Sequence, residues 1–437
     1  MPAVNDPGKE PTEKRQFMRE QIIKPPMTKR QIAKRILAFF FIAVLCGTAA
    51  GISFALAKPF AEKYLVKGPT EESSQISFSK DEPETSPVAT EPPTTKAVET
   101  APIEEILQSA IEQYQYEVGD LESLYSTVKT VGQEADKGIA VVHSVKKEMD
   151  WFNNPVETTG LYAGAIIAST PGELLILTPE AAIEHADSIK VAFSDGTEVS
   201  GTIKRADPIS GMAIVSVDAS QLEESARENI KALKLGNAYL VKQGDLVMAL
   251  GGPSGMVHSL NYGFVSYVLR NVPVPDGLTR LLYADIQSNA GTGTFLVNTA
   301  GEMIGWVTDQ YKNENSEEMT VAMAISDYKS ILEKMSNGIA IPYVGIKGQE
   351  VTSAMTEDGL PLGVYVVDSI SDAPAYEAGI QNGDVITKVG EKSITTMKDY
   401  QNQIEALREG EIVTVTIQRK GIEEYKELEY QVTVGAR

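Results

Sequence analysis

Hydrophobic positions in this chain fall into three patterns, and each predicts a different element. From Ile36 to Ala57 the pattern is continuous: 22 residues without a charge. At about 1.5 Å of rise per residue, a helix of that length crosses the hydrocarbon layer. A helical period follows later: Ile103, Ile106, Leu107 and Ile111 within 102–117 share one face, as do Tyr400, Ile404 and Leu407 within 397–407. The third pattern fills most of the rest. From about Leu121 to Met335, short β-branched and aliphatic runs alternate with turn residues: GIAVVHSV, YAGAIIAS, ELLILT, MAIVSVD, DLVMAL, GFVSYVL, GTFLVN and EMIGWVT. SIKVAF and TEVSGTIK flank Ser194-Asp195-Gly196, a hairpin with an Asp-Gly turn. So many short strands with few helices predict a sandwich, or one or two barrels.

Between these regions, 58–101 carries Pro, Thr, Ser and Glu and few large apolar residues. Such a stretch buries too little surface to offset its ordering entropy, which predicts a disordered tether. The expected organisation is a basic tail (1–35), a membrane helix (36–57), a linker (58–101), a helical segment (102–120), a strand-rich body (121–335) and a C-terminal unit (336–437).

Charge orients this arrangement. The chain has 437 residues and a formal charge of −21. Residues 1–35 hold nine basic and four acidic side chains, a net of +5, so the rest carries −26. A basic flank stays inside, which predicts a cytoplasmic tail and a body outside a bacterial plasma membrane. Ala55-Leu56-Ala57 resembles a signal-peptidase site, but the apolar run and the basic flank are both longer than a signal peptide uses. Gly47 and Gly51 form a G-x-x-x-G pair inside the span. An acidic chain is a poor nucleic-acid partner, because phosphate binding needs a positive field. Cys46 is the one cysteine, which excludes an internal disulfide and a cysteine zinc site. With three histidines, His143, His185 and His258, a histidine-rich metal site is not expected, and no cofactor is implied.

The order of segments goes further than their period. Ser194-Asp195-Gly196-Thr197-Glu198, Arg205-Ala206-Asp207-Pro208, Met212-Ala213-Ile214-Val215, Leu233-Lys234-Leu235-Gly236-Asn237, Gly244-Asp245-Leu246-Val247, Gly263-Phe264-Val265-Ser266 and Gly301-Glu302-Met303-Ile304-Gly305 occur in this order. The series resembles the HtrA (DegP-like) branch of trypsin-like serine proteases. The resemblance implies a mostly β fold: a trypsin-like double β-barrel followed by a PDZ domain, here behind a single transmembrane helix. It also implies assembly as a homo-oligomer, a trimer in the family.

The family's chemistry needs a nucleophile, a base and a group orienting the base. Placed by the family's motifs, the histidine position falls on Ala181 in Leu177-Thr178-Pro179-Glu180-Ala181, and the aspartate position on Gly211 after Asp207-Pro208. The serine position falls on Thr292 counted back from Phe295, or on Gly293 counted forward from Asn289, because Asn289-Ala290-Gly291-Thr292-Gly293-Thr294 is one residue short. Ala181 has no lone pair to take a proton, Gly211 has no carboxylate, and Thr292 lacks an activating base. His185, four residues past Ala181, reads as a surface residue between Glu184 and Asp187; His143 reads as structural.

The C-terminal unit resembles the PDZ domain found behind such proteases. Ala378-Gly379-Ile380-Gln381-Asn382-Gly383-Asp384-Val385-Ile386 is its most specific mark. In such domains a peptide adds as a strand and its terminal carboxylate is held by loop N–H groups. The matching loop is Tyr343-Val344-Gly345-Ile346, with Gly345 allowing close backbone approach and Tyr400 and Ile404 walling a side-chain pocket. The expected function is a membrane-anchored pseudoprotease that senses C-terminal peptides or unfolded proteins through its PDZ domain. The alternative is an active endopeptidase in envelope protein quality control.

Overall fold

A computed structural model of the chain describes residues 75–82, 118–149, 155–312, 318–422 and 424–437. The expected tail at 1–35, span at 36–57 and helix at 102–117 lie outside these residues. Among the described residues no helix is long and apolar enough to cross a membrane.

Helix α1 (Val118–Asp136) opens the body and runs well into the stretch read as strands from Leu121. Then β1 (Ile139–Met149), β2 (Pro155–Ser169), β3 (Glu173–Pro179), β4 (Ser188–Ala192), β5 (Glu198–Asp207) and β6 (Met212–Asp218) close a barrel in the order β1-β2-β3-β6-β5-β4. A second barrel follows from β7 (Leu246–Gly251), β8 (Asn261–Val274), β9 (Gly277–Ala284), β10 (Thr294–Val297), β11 (Met303–Val307) and β12 (Thr320–Ala324), in the order β10-β11-β12-β9-β8-β7.

Alternation of side chains explains how the barrels share a core. In β3 the run Leu174-Leu175-Ile176-Leu177 is apolar throughout because both faces are covered. Leu174 and Ile176 fill the first barrel. Leu175 and Leu177 point out of it, into the apolar cluster that also contains Phe295, Trp306 and Met323 of the second. In β6, Val215 and Val217 face the first cluster and Met212 and Ile214 the other.

Helix α2 (Lys329–Ser336) leads out of the second barrel. Residues 75–82, inside the stretch expected to be a disordered linker, dock against it. The Asn337 side chain exchanges two hydrogen bonds with the Ile76 backbone, at 3.0 and 2.8 Å. Asp81 pairs with Lys329 at 2.8 Å where both side chains are nearly buried. A backbone whose polar groups are met by built partners has a reason to order that composition does not reveal.

The C-terminal domain has a short pair, β13 (Pro342–Tyr343) with β20 (Gly435–Ala436), and a sheet ordered β14-β15-β16-β18-β19. Its strands are β14 (Ile346–Glu350), β15 (Val364–Ser369), β16 (Val385–Val389), β18 (Ile412–Lys420) and β19 (Tyr425–Thr433), with β17 (Lys392–Ser393) on β16. Helix α3 (Met397–Ala406) is started by a capping box between Thr396 and Asp399. It buries Met397, Tyr400 and Ile404. Asp384 of the Gly-Asp motif is buried and takes two 2.7 Å bonds from Arg419. That bidentate geometry is the strong form of the pair.

Candidate functional site

The three segments expected to carry a catalytic triad come together, and at the expected positions they carry Ala181, Gly211 and Thr292 or Gly293. The Glu180 N–H donates to the Gly211 carbonyl at 2.9 Å, joining the segment of Ala181 to the turn of Gly211. Thr292 accepts from the Ala163 N–H at 2.7 Å, and a side chain on Gly293 would meet Pro179 at 3.0 Å. Ala181 lies in a 3-10 turn (Glu180–Ala182). Gly211 sits at φ +67. Around the nucleophile position the backbone donors are already engaged: the Thr292 N–H donates to the Asn289 side chain at 3.1 Å, and the Gly293 N–H to the Ala290 carbonyl at 3.0 Å. The Glu180 carboxyl is held above the usual carboxylate range by burial, with the charge of Asp207 adding to it.

The histidines lie elsewhere. His143 is in the middle of β1, opposite Leu161 and Lys190. His185 is exposed in a turn at φ +62, 3.3 Å from Glu184. His258 is 3.0 Å from Asp136. Among the described residues no hydrogen bond links a histidine to Thr292, and no group of three or more His, Cys, Asp or Glu side chains is placed to hold a metal.

The second candidate is the turn before β14. Its backbone N–H groups converge on one carboxylate, and that carboxylate belongs to Asp276 at the tip of the β8–β9 hairpin. The Val344 N–H donates to it at 2.8 Å, the Gly345 N–H at 3.0 Å to each oxygen, and the Ile346 N–H at 3.1 Å. The Tyr400 hydroxyl donates to it at 3.0 Å. Burial, with Asp276 beside it, pushes the Tyr400 phenol well up, so at neutral pH it is a donor. The Asp276 N–H in turn donates to the Ile346 carbonyl at 2.7 Å. Gly345 is at φ +87, and an added Cβ would lie 2.2 Å from that of Ala373. Only glycine meets both the left-handed backbone and the close contact.

Family models match a trypsin-like peptidase domain over residues 163–305 and a PDZ domain over 342–432. A putative serine protease HhoB of Synechocystis is 27% identical over 270 residues, which are 58% of this chain and 62% of that protein. A probable periplasmic serine endoprotease, DegP-like, of Pseudomonas fulva is 31% identical over 276 residues, 61% of this chain and 54% of that one. Both domains, in this order, are similar to those of HtrA-type serine proteases. The chain spans less than two thirds of the length of these curated relatives. The fold of the HtrA-type protease AlgW, solved with a decapeptide, aligns with a TM-score of 0.51 and 22% identity over 71% of this chain and 98% of that one.

Within this HtrA-like frame the residues expected to bind peptide separate into two sets. Val344, Gly345 and Ile346 present their N–H groups to an anion. Tyr343 pairs with Gly435 and sets the start of that turn. Tyr400 adds a hydroxyl to the anion, and its ring is buried in the PDZ core. Ile346 and Ile404 are buried in the PDZ core. Asp276 was not among the expected residues, although Pro275-Asp276-Gly277 between Val274 and Leu278 carries the same turn signal as Asp195-Gly196.

Proposed function

We propose that this HtrA-like chain is a membrane-tethered pseudoprotease whose PDZ domain recognises peptide C-termini. The observation that carries the reading is the turn at 344–346, whose N–H groups have no acceptor within the turn and converge on a carboxylate supplied by another part of the fold. A peptide terminus offers the same group on the end of a strand, and β14 is the edge strand of its sheet. The triad-equivalent residues Ala181, Gly211 and Thr292 supply no base and no carboxylate, which supports a body that holds rather than cuts. The body lies outside the plasma membrane, as the relative named periplasmic does, and residues 36–57 anchor it.

The test is calorimetry on the full chain in detergent, with a decapeptide pool ending in free carboxylates and the same pool amidated. Amidation removes the charge and an acceptor oxygen. A charge-assisted hydrogen bond contributes about 1.5–3 kcal/mol, so the amidated pool should bind roughly tenfold or more weakly. Equal binding of both pools would end this reading.

A second reading, an active endopeptidase, draws on the relatives named as serine proteases. Labelling of the native chain by a fluorophosphonate, lost on Thr292→Ala, would establish it.

A further inference from the structure

We propose that Asp276 is an internal ligand of the PDZ domain, so that an external C-terminus binds only by displacing the β8–β9 turn. The inference rests on the peptide-recognition reading above and adds the state of the groove when no peptide is present.

The geometry is that of a bound terminus. The Asp276 carboxylate takes the N–H groups of Val344, Gly345 and Ile346 together with the Tyr400 hydroxyl. Its own N–H pairs with the Ile346 carbonyl, on the edge of β14 where an added strand would bond. Next to it, Leu278 packs on the PDZ core. Gly277 lies against Gln401 of α3, close enough that a Cβ there would meet the Gln401 side chain at 3.2 Å. One turn thus takes the carboxylate site, the strand edge and the helix wall together. At the turn itself, between Val274–Leu278, Ile404 and Arg437, a cavity of about 20 Å³ remains, room for about one water. A more open cavity of about 280 Å³ lies past Leu278, along Glu350 and Lys398, Gln401 and Glu405 of α3.

The backbone of this turn argues that the carboxylate is there for its contacts. Val274 pairs with Gly277, so Pro275 and Asp276 are the two turn residues. Asp276 sits at φ +60, at the second central position, where a proline-led type II turn normally has glycine. Aspartate is among the side chains that tolerate this left-handed region, but glycine suits it better. Glycine at 276 would therefore keep the hairpin and remove only the ligand.

Displacement would reach beyond the groove. The Pro275 carbonyl accepts from the Arg437 guanidinium at 3.4 Å, and Arg437 also lies 3.4 Å from Asp207, which is fully buried at the end of β5. A peptide that lifts the turn also breaks this link to the segment leading to Gly211.

The experiment is fluorescence anisotropy on the full chain in detergent, with the free-carboxylate and amidated decapeptide pools. Asp276→Gly and Asp276→Asn should each bind the free-carboxylate pool at least tenfold more tightly than the native chain, with the amidated pool unchanged. If the native chain binds the free pool as tightly as both variants do, the groove is already open and the inference falls, while peptide recognition stands. If neither native nor variant chains bind either pool, peptide recognition fails and the inference falls with it. Should both variants lose their fold by circular dichroism, hydrogen exchange on the native chain decides. Saturating free-carboxylate peptide should speed exchange at 273–279 and leave 344–346 protected; unchanged exchange at 273–279 would overturn the proposal.

Discussion

The loop at Asn289–Gly293 and the turn at Tyr343–Ile346 are made of the same material, consecutive backbone N–H groups in a glycine-bearing turn, and they aim it in opposite directions. In the first, Thr292 and Gly293 donate to Asn289 and Ala290, acceptors within the same loop. In the second, Val344, Gly345 and Ile346 donate to a carboxylate some 70 residues away in sequence. Both arrangements satisfy their donors, as buried amides must be. Only the second leaves donors that a ligand can use, because an oxyanion hole or a carboxylate clamp needs N–H groups with no local acceptor. The comparison supports the proposed division of roles, with recognition at the second site rather than chemistry at the first.

The largest effect follows from the first site. Loss of a catalytic triad typically costs on the order of a million-fold in turnover, so the native chain should hydrolyse casein no faster than a mock preparation. The sharper measurement is on the triple variant Ala181→His, Gly211→Asp, Thr292→Ser. Aspartate tolerates the left-handed backbone of Gly211 at φ +67, and the nearest atom to an added Cβ there, on Gln310, is 3.4 Å away. The side chains would therefore fit. The donors for an oxyanion would still be missing, and one donor alone is worth about 10²–10³ in kcat. Activity should stay at least about a hundredfold below that of an HtrA-type protease assayed beside it. A fully active triple variant would show that the loop re-aims its N–H groups readily, and the contrast between the two loops would dissolve.

The next effect probes the second site. From sequence alone, Gly345→Val is a substitution that blocks backbone approach and leaves the domain folded. The structure gives it a different outcome. A Cβ at φ +87 costs about 1–2 kcal/mol, and this one would lie 2.2 Å from the Cβ of Ala373, which is buried. Overpacking adds roughly 1–3 kcal/mol. The PDZ transition in a thermal melt should fall by at least about 10 °C. A melt within a degree or two of native, with weakened peptide binding, would mean that the turn can shift away from Ala373 and is less rigid than the comparison requires.

Much of this was legible in the chain, and the omissions have physical causes. β3, β6, β7 and β10 were readable because burial on both faces leaves continuous apolar runs. β9 was missed because Arg280 breaks its run. That side chain lies 4.6 Å over the Tyr239 ring and bonds to the Tyr239 carbonyl, a partner about forty residues away that no local pattern reveals. With β9 missed, the hairpin tip at Asp276 had no place in the fold. The turn at 343–346 was expected from its likeness to a PDZ loop; the carboxylate its N–H groups meet comes from the β8–β9 hairpin, which no local pattern reveals. The docking of 75–82 was hidden for the same reason: Asp81 has its meaning only beside Lys329.

The smallest effect separates the two sites by pH. Gly252 donates its N–H to the Gly293 carbonyl at 2.7 Å, and the Thr292 side chain packs over it, so the loop 251–259 supports the first site. His258 ties that loop to the end of α1 through Asp136 at 3.0 Å, and the other Asp136 oxygen is buried without a hydrogen-bond partner. The hydrogen bond to Asp136 raises the imidazole above its ordinary value, against a smaller opposing effect of burial. A histidine whose folded pKa is raised stabilises fully below its unfolded value, about 6.5. That contribution is lost as pH rises through the higher folded value. Both groups are partly solvated, so it amounts to about 1 kcal/mol or less. Hydrogen exchange at 251–259, corrected for intrinsic rates, should therefore quicken in the native chain as pH rises past the raised histidine value. In His258→Gln it should be faster than native at low pH and equal to it at high pH. Exchange at 344–346 should be the same in both proteins at every pH, since nothing in that turn touches His258. A change at 344–346 as large as that at 251–259 would mean that the two loops answer to one another, and that the recognition site cannot be treated apart from the triad-equivalent segments.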